Sequence, residues 1–376
     1  MERAAVHVET DHNVYILGAG FSMEAGIPGI TGFLDALRDS LAWLEKANRK
    51  AEADAVREVL LFRKEAAAAS DRVRLNVEDI EELFSLASAT PGGRTAEYVT
   101  TAIAATIDYC RTQPPSPESV IITQMVEGTT MFANRRSGTE PTRVQWAPYE
   151  FYAAMMSGLL TEPSANARNT VITFNYDTIL EDALKTIGVT CDYRLSGHME
   201  PVTQEPILPV LKMHGSVNWG VQTSENAFHA SPFSARESYA AVRDNSERVA
   251  LIPPTWHKKF DGGLDGVWDA AVAAIEQATR VIIVGFSIPA TDTHFKYLLA
   301  AGLRNNISLR CVLFVNPEAD RLRPRVESVL RPDLFERGVV KMVGHRASAF
   351  FRDRADSVGR AHMAVIKGVF DGKRRQ

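Results

Sequence analysis

Cysteine is scarce in this chain of 376 residues, with three in all, at 110, 191 and 311. They are widely separated and odd in number, so neither a disulfide framework nor a cysteine zinc site is visible, which fits a reducing, cytoplasmic compartment. No apolar run approaches the roughly 18 residues of a membrane span. The opening MERAAVHVETDHN lacks an apolar core, so no secretory signal is expected. Positive charge is not in excess: 42 Lys and Arg stand against 46 Asp and Glu, a formal net charge of −4. That leaves no overall electrostatic footprint for nucleic acid, and direct nucleic-acid binding is not expected. His257 and His294 have no partners at metal-ligand spacing, so no metal is assigned. What remains is an ordinary globular composition, 45% hydrophobic and 23% charged, with length for a large domain plus an insertion or for two modest domains.

The stretch NVYILGAGFSMEAGIPG, residues 13–29, is the most informative. Val14 to Leu17 is a short apolar run bounded by polar residues and glycine, which reads as a buried parallel strand. Gly18, Ala19 and Gly20 follow at once, then Ser22, Gly26, Ile27 and Pro28. Glycines there allow a tight turn and close approach to a phosphate, at the start of a helix whose amides would face the anion. A standard dinucleotide fingerprint puts its third glycine three residues after the second; here Met23 takes that place. The acidic residue expected about 20 residues on is also missing, because helical sequence follows. A nucleotide would therefore be held in a non-standard way, and a tight strand-to-helix turn without a ligand is the competing explanation.

Apolar residues at helical spacing continue through Leu34, Leu37, Leu41 and Leu44, and an alanine-rich charged helix follows over 51–69. Ile80, Leu83, Phe84 and Ala87 line one face of another helix, with Asn76 as its expected cap. Residues 95–109 and 148–160 read as helical, with proline-rich and polar sequence between them. Strands are expected at 170–174, 208–213, 281–286, 310–315 and 339–343, with helices at 179–187, 267–278 and 292–303. Residues 222–248 look polar and irregular, as a mobile loop or lid would. Strands alternating with helices imply a doubly wound, Rossmann-like parallel α/β sheet with its ligand crevice at the strand C-termini. The expected organisation is a nucleotide-binding domain from 12–35 plus 166–350, a large, mainly helical insertion at 36–165, and a C-terminal helix with a basic tail at 351–376.

Polar or glycine residues close four strands: GAGFS at 18–22, FNYD at 174–177, HGS at 214–216, and GFS at 285–287 with VNP at 315–317. Each has an ordinary explanation. Asp177 suits a helix N-cap, and Asn175 a turn. His214 suits a buried, hydrogen-bonded histidine, and Asn316 before Pro317 a strand end. Convergence of all four at adjacent strand ends favours a site.

The set GAGFSMEAGIP, FNYD, KMHGSVNW, LIPPTW, IVGFSIPATDTHF and FVNPE resembles the sirtuin-like (silent-information-regulator-two-like) NAD-consuming domain of bacteria, over about 12–35 and 170–317. The likeness is to the branch that hydrolyses NAD in anti-phage defence. Protein deacylases of the wider family carry four zinc-binding cysteines after the histidine-glycine motif. This chain has no cysteine between His214 and Val281. GIPGITGF likewise lacks the aspartate-phenylalanine-arginine that deacylases show.

The resemblance implies an NAD glycohydrolase with NAD as substrate and no metal. Asn175 would hold the nicotinamide ribose or the attacking water, and His214 would be the general base. A histidine's ordinary pKa, about 6.5, suits that task. Asp177 would orient the ribose or cap its helix. Gly18, Ala19, Gly20, Ser22, Gly26, Ile27 and Pro28 would line the diphosphate side, and Gly285, Phe286, Ser287 and Asn316 the adenosine half. Asp292 fits a helix cap equally well. The alternatives are a non-catalytic sensor of NAD or an ADP-ribose derivative and, with less support, an NAD-dependent deacylase. An unrestrained NAD hydrolase would deplete its own cell as abortive infection does. Control is therefore expected through homo-oligomerisation or through a partner such as an Argonaute protein or a DNA-translocase-like (HerA-type) ATPase.

Overall fold

The apolar run after Asn13 lies in strand β1 (His12–Leu17), five of whose six residues are buried. Burial on both faces is what the middle of a parallel sheet demands. The computed structural model describes residues 12–90, 95–113, 148–159, 168–195, 206–221, 233–255, 264–289 and 293–351. A single helical turn, α1 (Ala19–Ser22), follows the glycines. Then come α2 (Phe33–Lys46), α3 (Lys50–Ser70), α4 (Ile80–Ala89), α5 (Thr95–Thr112) and α6 (Pro148–Met156), all before β2 (Arg168–Thr173). Next are α7 (Ile179–Thr186), β3 (Thr190–Asp192) and β4 (Ile207–Lys212). A small excursion follows, β5 (Gly215–Val221), β6 (Ser234–Ala235), α8 (Tyr239–Asp244) and β7 (Arg248–Leu251). The chain ends its described course with α9 (Asp265–Glu276), β8 (Arg280–Val284), α10 (Thr293–Leu303), β9 (Cys311–Val315), α11 (Ala319–Val329), α12 (Pro332–Glu336) and β10 (Val340–Val343).

Seven strands form one parallel sheet in the order β10-β9-β8-β1-β2-β4-β3. The chain moves outward from β1 on one side, returns to β8 beside β1, and moves outward on the other side. This is the doubly wound Rossmann-like topology. Winding reverses at β1, so the crevice above the C-terminal ends of β1, β2 and β8 is the switch point where such sheets hold ligands. Alternation along β1 divides the core: Val14 and Ile16 pack with Val267 and Phe295, while Tyr15 and Leu17 pack with Tyr152 and Leu180. Each fully buried side chain of this size contributes about 2 kcal/mol. Helices α2 to α5 have a core of their own around Leu37, Val59, Phe84 and Ile103, whereas α6 packs with the sheet through Phe151 and Tyr152.

Two local expectations change, and one stretch that carried no expectation proves helical. Asp79, not Asn76, caps α4: its Oδ1 accepts from the amides of Glu81 (2.8 Å) and Glu82 (3.4 Å). Asn76 Oδ1 instead accepts from Glu78 N at 3.1 Å, in the turn ahead of the helix. The expected lid is also ordered where described. Within 233–248, Ser238 Oγ accepts from Ala241 N (3.2 Å) to cap α8, and Tyr239 and Val242 are buried. β6, β5 and β7 there form a separate three-stranded antiparallel sheet. β6 and β7, two and four residues long, carry too little alternation to announce themselves. The helical stretch, α11 and α12, is polar sequence in which Pro324 hides the pattern. Residues 222–232 and 352–376, with Asp292 and His257, lie outside the described residues.

Candidate active site

The strands β1 and β8 meet above the sheet with only backbone between them. Gly18 N donates to Val284 O (3.0 Å) and Gly20 N to Gly285 O (2.8 Å). A Cβ on Gly20 would sit 2.8 Å from Gly285 Cα, and one on Gly18 would sit 2.5 Å from Phe286 Cα. Gly285 also takes φ +65°, and a Cβ there would lie 2.4 Å from Phe21 N. Glycine is required at 18, 20 and 285 by this close approach of two turns. The amides of Gly18 and Gly20 are thereby committed to β8 and its loop, which differs from the phosphate cradle expected of them. Gly26 ends the short turn Met23–Ala25 with φ +88°, and it does not line the cleft described next.

Beside this contact a cleft opens above the strand ends, the place where sheets of this topology hold ligands. The strand ends contribute Phe174, Asn175, Asp177, His214, Phe286 and Ser287, and the glycine turn contributes Ala19, Ile27 and Pro28. The opposite wall is formed by Phe33 together with Ile80, Glu81, Ile103 and Ile107 of the helical insertion. Its ionisable lining residues are Glu81, Asp177 and His214, joined by the Tyr176 phenol; among the described residues no Lys or Arg lines it.

Asn175 ties the first two strand ends together. Its Nδ2 donates to Gly18 O (3.0 Å) and to the buried Ser22 Oγ (3.1 Å), and its backbone N donates to Thr173 Oγ1 (3.1 Å). Asp177 is buried and stands one residue before Thr178, which holds the N-cap position expected of it; its Oδ1 accepts from Ile179 N, the first residue of α7, at 3.1 Å. Close by, burial pushes the Tyr149 phenol far up, with the charges of Asp177 and Glu24 adding to it. That phenol donates to Phe21 O at 2.6 Å.

His214 is buried at the end of β4. Its ring lies edge-on to Phe174, 5.1 Å away, and 6.3 Å from Tyr176. Phe174 in turn stacks on Phe286 at 4.9 Å. Gly215 takes φ +78°, and a Cβ there would lie 2.1 Å from Ala250 O. Glycine after the histidine therefore lets β7 dock, with Ile252 N donating to His214 O at 2.9 Å. Tyr176 Oη secures the same segment through Ile252 O, at 2.6 Å.

On the far side, Asn316 is held away from the cleft, its Nδ2 donating to Phe286 O (3.3 Å) and its Oδ1 accepting from Glu318 N (2.8 Å). In the loop after β8, Ile288 takes φ +48°. A β-branched residue there is strained, and such strain collects at ligand clamps. The structure thus brings Ala19, Ile27, Pro28, Asn175, Asp177, His214, Phe286 and Ser287 to one cleft. Gly18, Gly20, Ser22, Gly26, Gly285 and Asn316 are not among the residues that line it. Glu81 and the insertion's apolar wall went unanticipated. Their helical spacing marks a buried face without saying what that face meets.

Residues 169–330 match the family model of the SIR2-like domain. The matched span carries Asn175, Asp177, His214, Gly285, Phe286, Ser287 and Asn316, and stops short of the glycine turn at 18–20. No curated protein matches the chain. Among solved structures, a complex of Sir2 homologues with 2'-O-acetyl ADP ribose is 15% identical with a TM-score of 0.42, covering 95% of each chain. A Sir2 homologue bound to NAD is 15% identical with a TM-score of 0.41, covering 93% of this chain and 90% of the other. At such scores neither likeness assigns a residue or an activity. No described helix is long and apolar enough to cross a membrane.

Proposed function

We propose that this protein is an NAD glycohydrolase, cleaving NAD to nicotinamide and ADP-ribose. The observation that carries the reading is the convergence of Asn175, Asp177 and His214 on one cleft at the sheet's switch point, within a SIR2-like match. The lining supports it too. A cleft whose acidic groups are Glu81 and Asp177, with no described Lys or Arg, suits the cationic pyridinium end of NAD. In the reaction the bond from the ribose anomeric carbon to the pyridinium nitrogen breaks, and its electron pair neutralises the departing ring. Water then attacks the cationic ribose carbon, and His214 takes the water proton. Buried carboxylate charge nearby stabilises the cation as it moves onto the ribose.

The test is NAD turnover by the purified protein with products identified, beside His214→Ala and Asn175→Ala. The parent should release nicotinamide and ADP-ribose, and His214→Ala should be slower by about 100-fold or more. Tight NAD binding with no product would point instead to a sensor of NAD or an ADP-ribose derivative, or to an enzyme waiting for its partner. One observation favours that second reading: the Asn175 amide is spent on Gly18 O and Ser22 Oγ, as in a structural latch. Deacylation has less support, because no cysteine stands between His214 and Val281 to build a zinc module.

Such an enzyme needs restraint, which motivates the proposal of a cytoplasmic anti-phage role with control by homo-oligomerisation or by a HerA-type ATPase partner. A protein that is monomeric at every concentration and fully active alone would overturn that part.

A further inference from the structure

We propose that Lys212 is a positioning residue for the proposed hydrolysis, fixing the Asn175–Asp177 turn relative to His214. The inference rests on the glycohydrolase reading. Lys212 is wholly buried at the end of β4, two residues before His214. Its ammonium donates to the Asp177 carbonyl and, at 2.7 Å, to Glu181 Oε1 on α7. Strand pairing ends just below: Thr173 is opposite Lys212, and Met213 N donates to Thr173 O at 2.9 Å. Beyond that point the turn has left the ladder. Its carbonyls find partners one by one, Tyr176 O from Val217 N (3.0 Å) and Asp177 O from Lys212.

Burying an ammonium is costly, and a hydrophobic pair commonly holds a helix to a strand as well or better. A hydrocarbon cannot donate to the carbonyl of an irregular buried turn, which would otherwise lose its hydrogen bond. Lys212 does that from the strand that carries His214, so one side chain sets the spacing between the two halves of the site. Glu181 is its counter-ion: burial raises the carboxyl's pKa, and the Lys212 charge opposes that rise.

The experiment compares Lys212→Met with Glu181→Gln in NAD turnover, with kcat and KM separated and thermal midpoints recorded. A positioning role predicts that Lys212→Met lowers kcat about 100-fold with little change in KM. Glu181→Gln, which leaves the bond to Asp177 O in place, should retain kcat within about threefold of the parent. Equal losses from the two variants, tracking their midpoints, would overturn the proposal and leave an ordinary structural pair. If Lys212→Met does not fold, the double variant Lys212→Met with Glu181→Leu removes both charges together. A parent-like midpoint with depressed kcat then supports the role, and parent-like kcat defeats it. NAD turnover in the parent that His214→Ala matches in rate would instead remove the glycohydrolase assignment and this inference with it.

Discussion

The two sides of the candidate site are held together by opposite means. Where β1 meets β8, Gly18, Gly20 and Gly285 let two turns touch through backbone alone, with amide-to-carbonyl bonds of 2.8 and 3.0 Å. Where β2 meets β1 and β4, side chains add to the backbone bonds: Asn175 to Gly18 O and Ser22, Lys212 to Asp177 O, and Arg111 from α5 to Thr178 and Asp182. The first side is specified by the absence of atoms and the second by hydrogen bonds that single substitutions delete. Damage should therefore appear as lost stability on the glycine side and as lost function on the polar side.

The strongest challenge to that contrast is Gly285→Ala. The new methyl would lie 2.4 Å from Phe21 N, at φ +65°. The nearest atoms are all backbone of Gly20 and Phe21 and no flexible side chain can yield, so unfolding free energy should fall by more than about 3 kcal/mol. Denaturant titration measures it. A loss below about 1 kcal/mol would mean that the two turns separate easily, and the comparison would collapse.

The glycine side was readable in advance because its elements are local. An apolar run followed by glycine gives a strand and a turn, and Val281–Val284 with Gly285 repeats the pattern. The ends at FNYD and HGS were readable for the same reason. Much of the polar side was not. Lys212 stands in VLKM, where a charged residue at the end of an apolar run looks like an ordinary exposed strand terminus, yet it is wholly buried. Its partners Asp177 and Glu181 are more than 30 positions away, a pairing that periodicity does not encode. Ile103 and Ile107 were legible as one helical face, and their facing the cleft follows only from how the insertion packs. Asn76 lost the cap to Asp79 because both suit that position, and the helix begins one residue after Asp79.

A milder challenge comes from Arg111→Ala, which cuts the guanidinium that joins α5 to Thr178 and Asp182 at the head of α7. The Arg111 side chain is 31% and Asp182 44% exposed, so solvent screens the pair and stability should change by less than about 1 kcal/mol. If the insertion helps hold the catalytic turn, kcat for NAD should still fall about three- to tenfold. Unchanged kcat would show that the insertion's wall and the strand ends act independently, confining the polar clamp to Asn175 and Lys212.

The smallest expected effect lies at the other end of β1, away from both sides of the site. His12 is buried, with Nε2 at 3.1 Å from Thr170 Oγ1. Burial lowers its pKa below the ordinary 6.5, and the positive charge of Arg168 lowers it further. The folded protein therefore favours neutral His12, and between the folded value and about pH 6.5 the unfolded chain binds more protons. Stability from this group is complete above about pH 6.5 and declines as pH falls below it. The slope cannot exceed about 1.4 kcal/mol per pH unit for one proton. His12→Gln should flatten that part of the stability–pH curve while leaving the pH dependence of NAD turnover unchanged. An altered turnover profile would show that the base of β1 reports to the site at its top. Both joining modes would then belong to one coupled strand, and stability and function could not be separated by side.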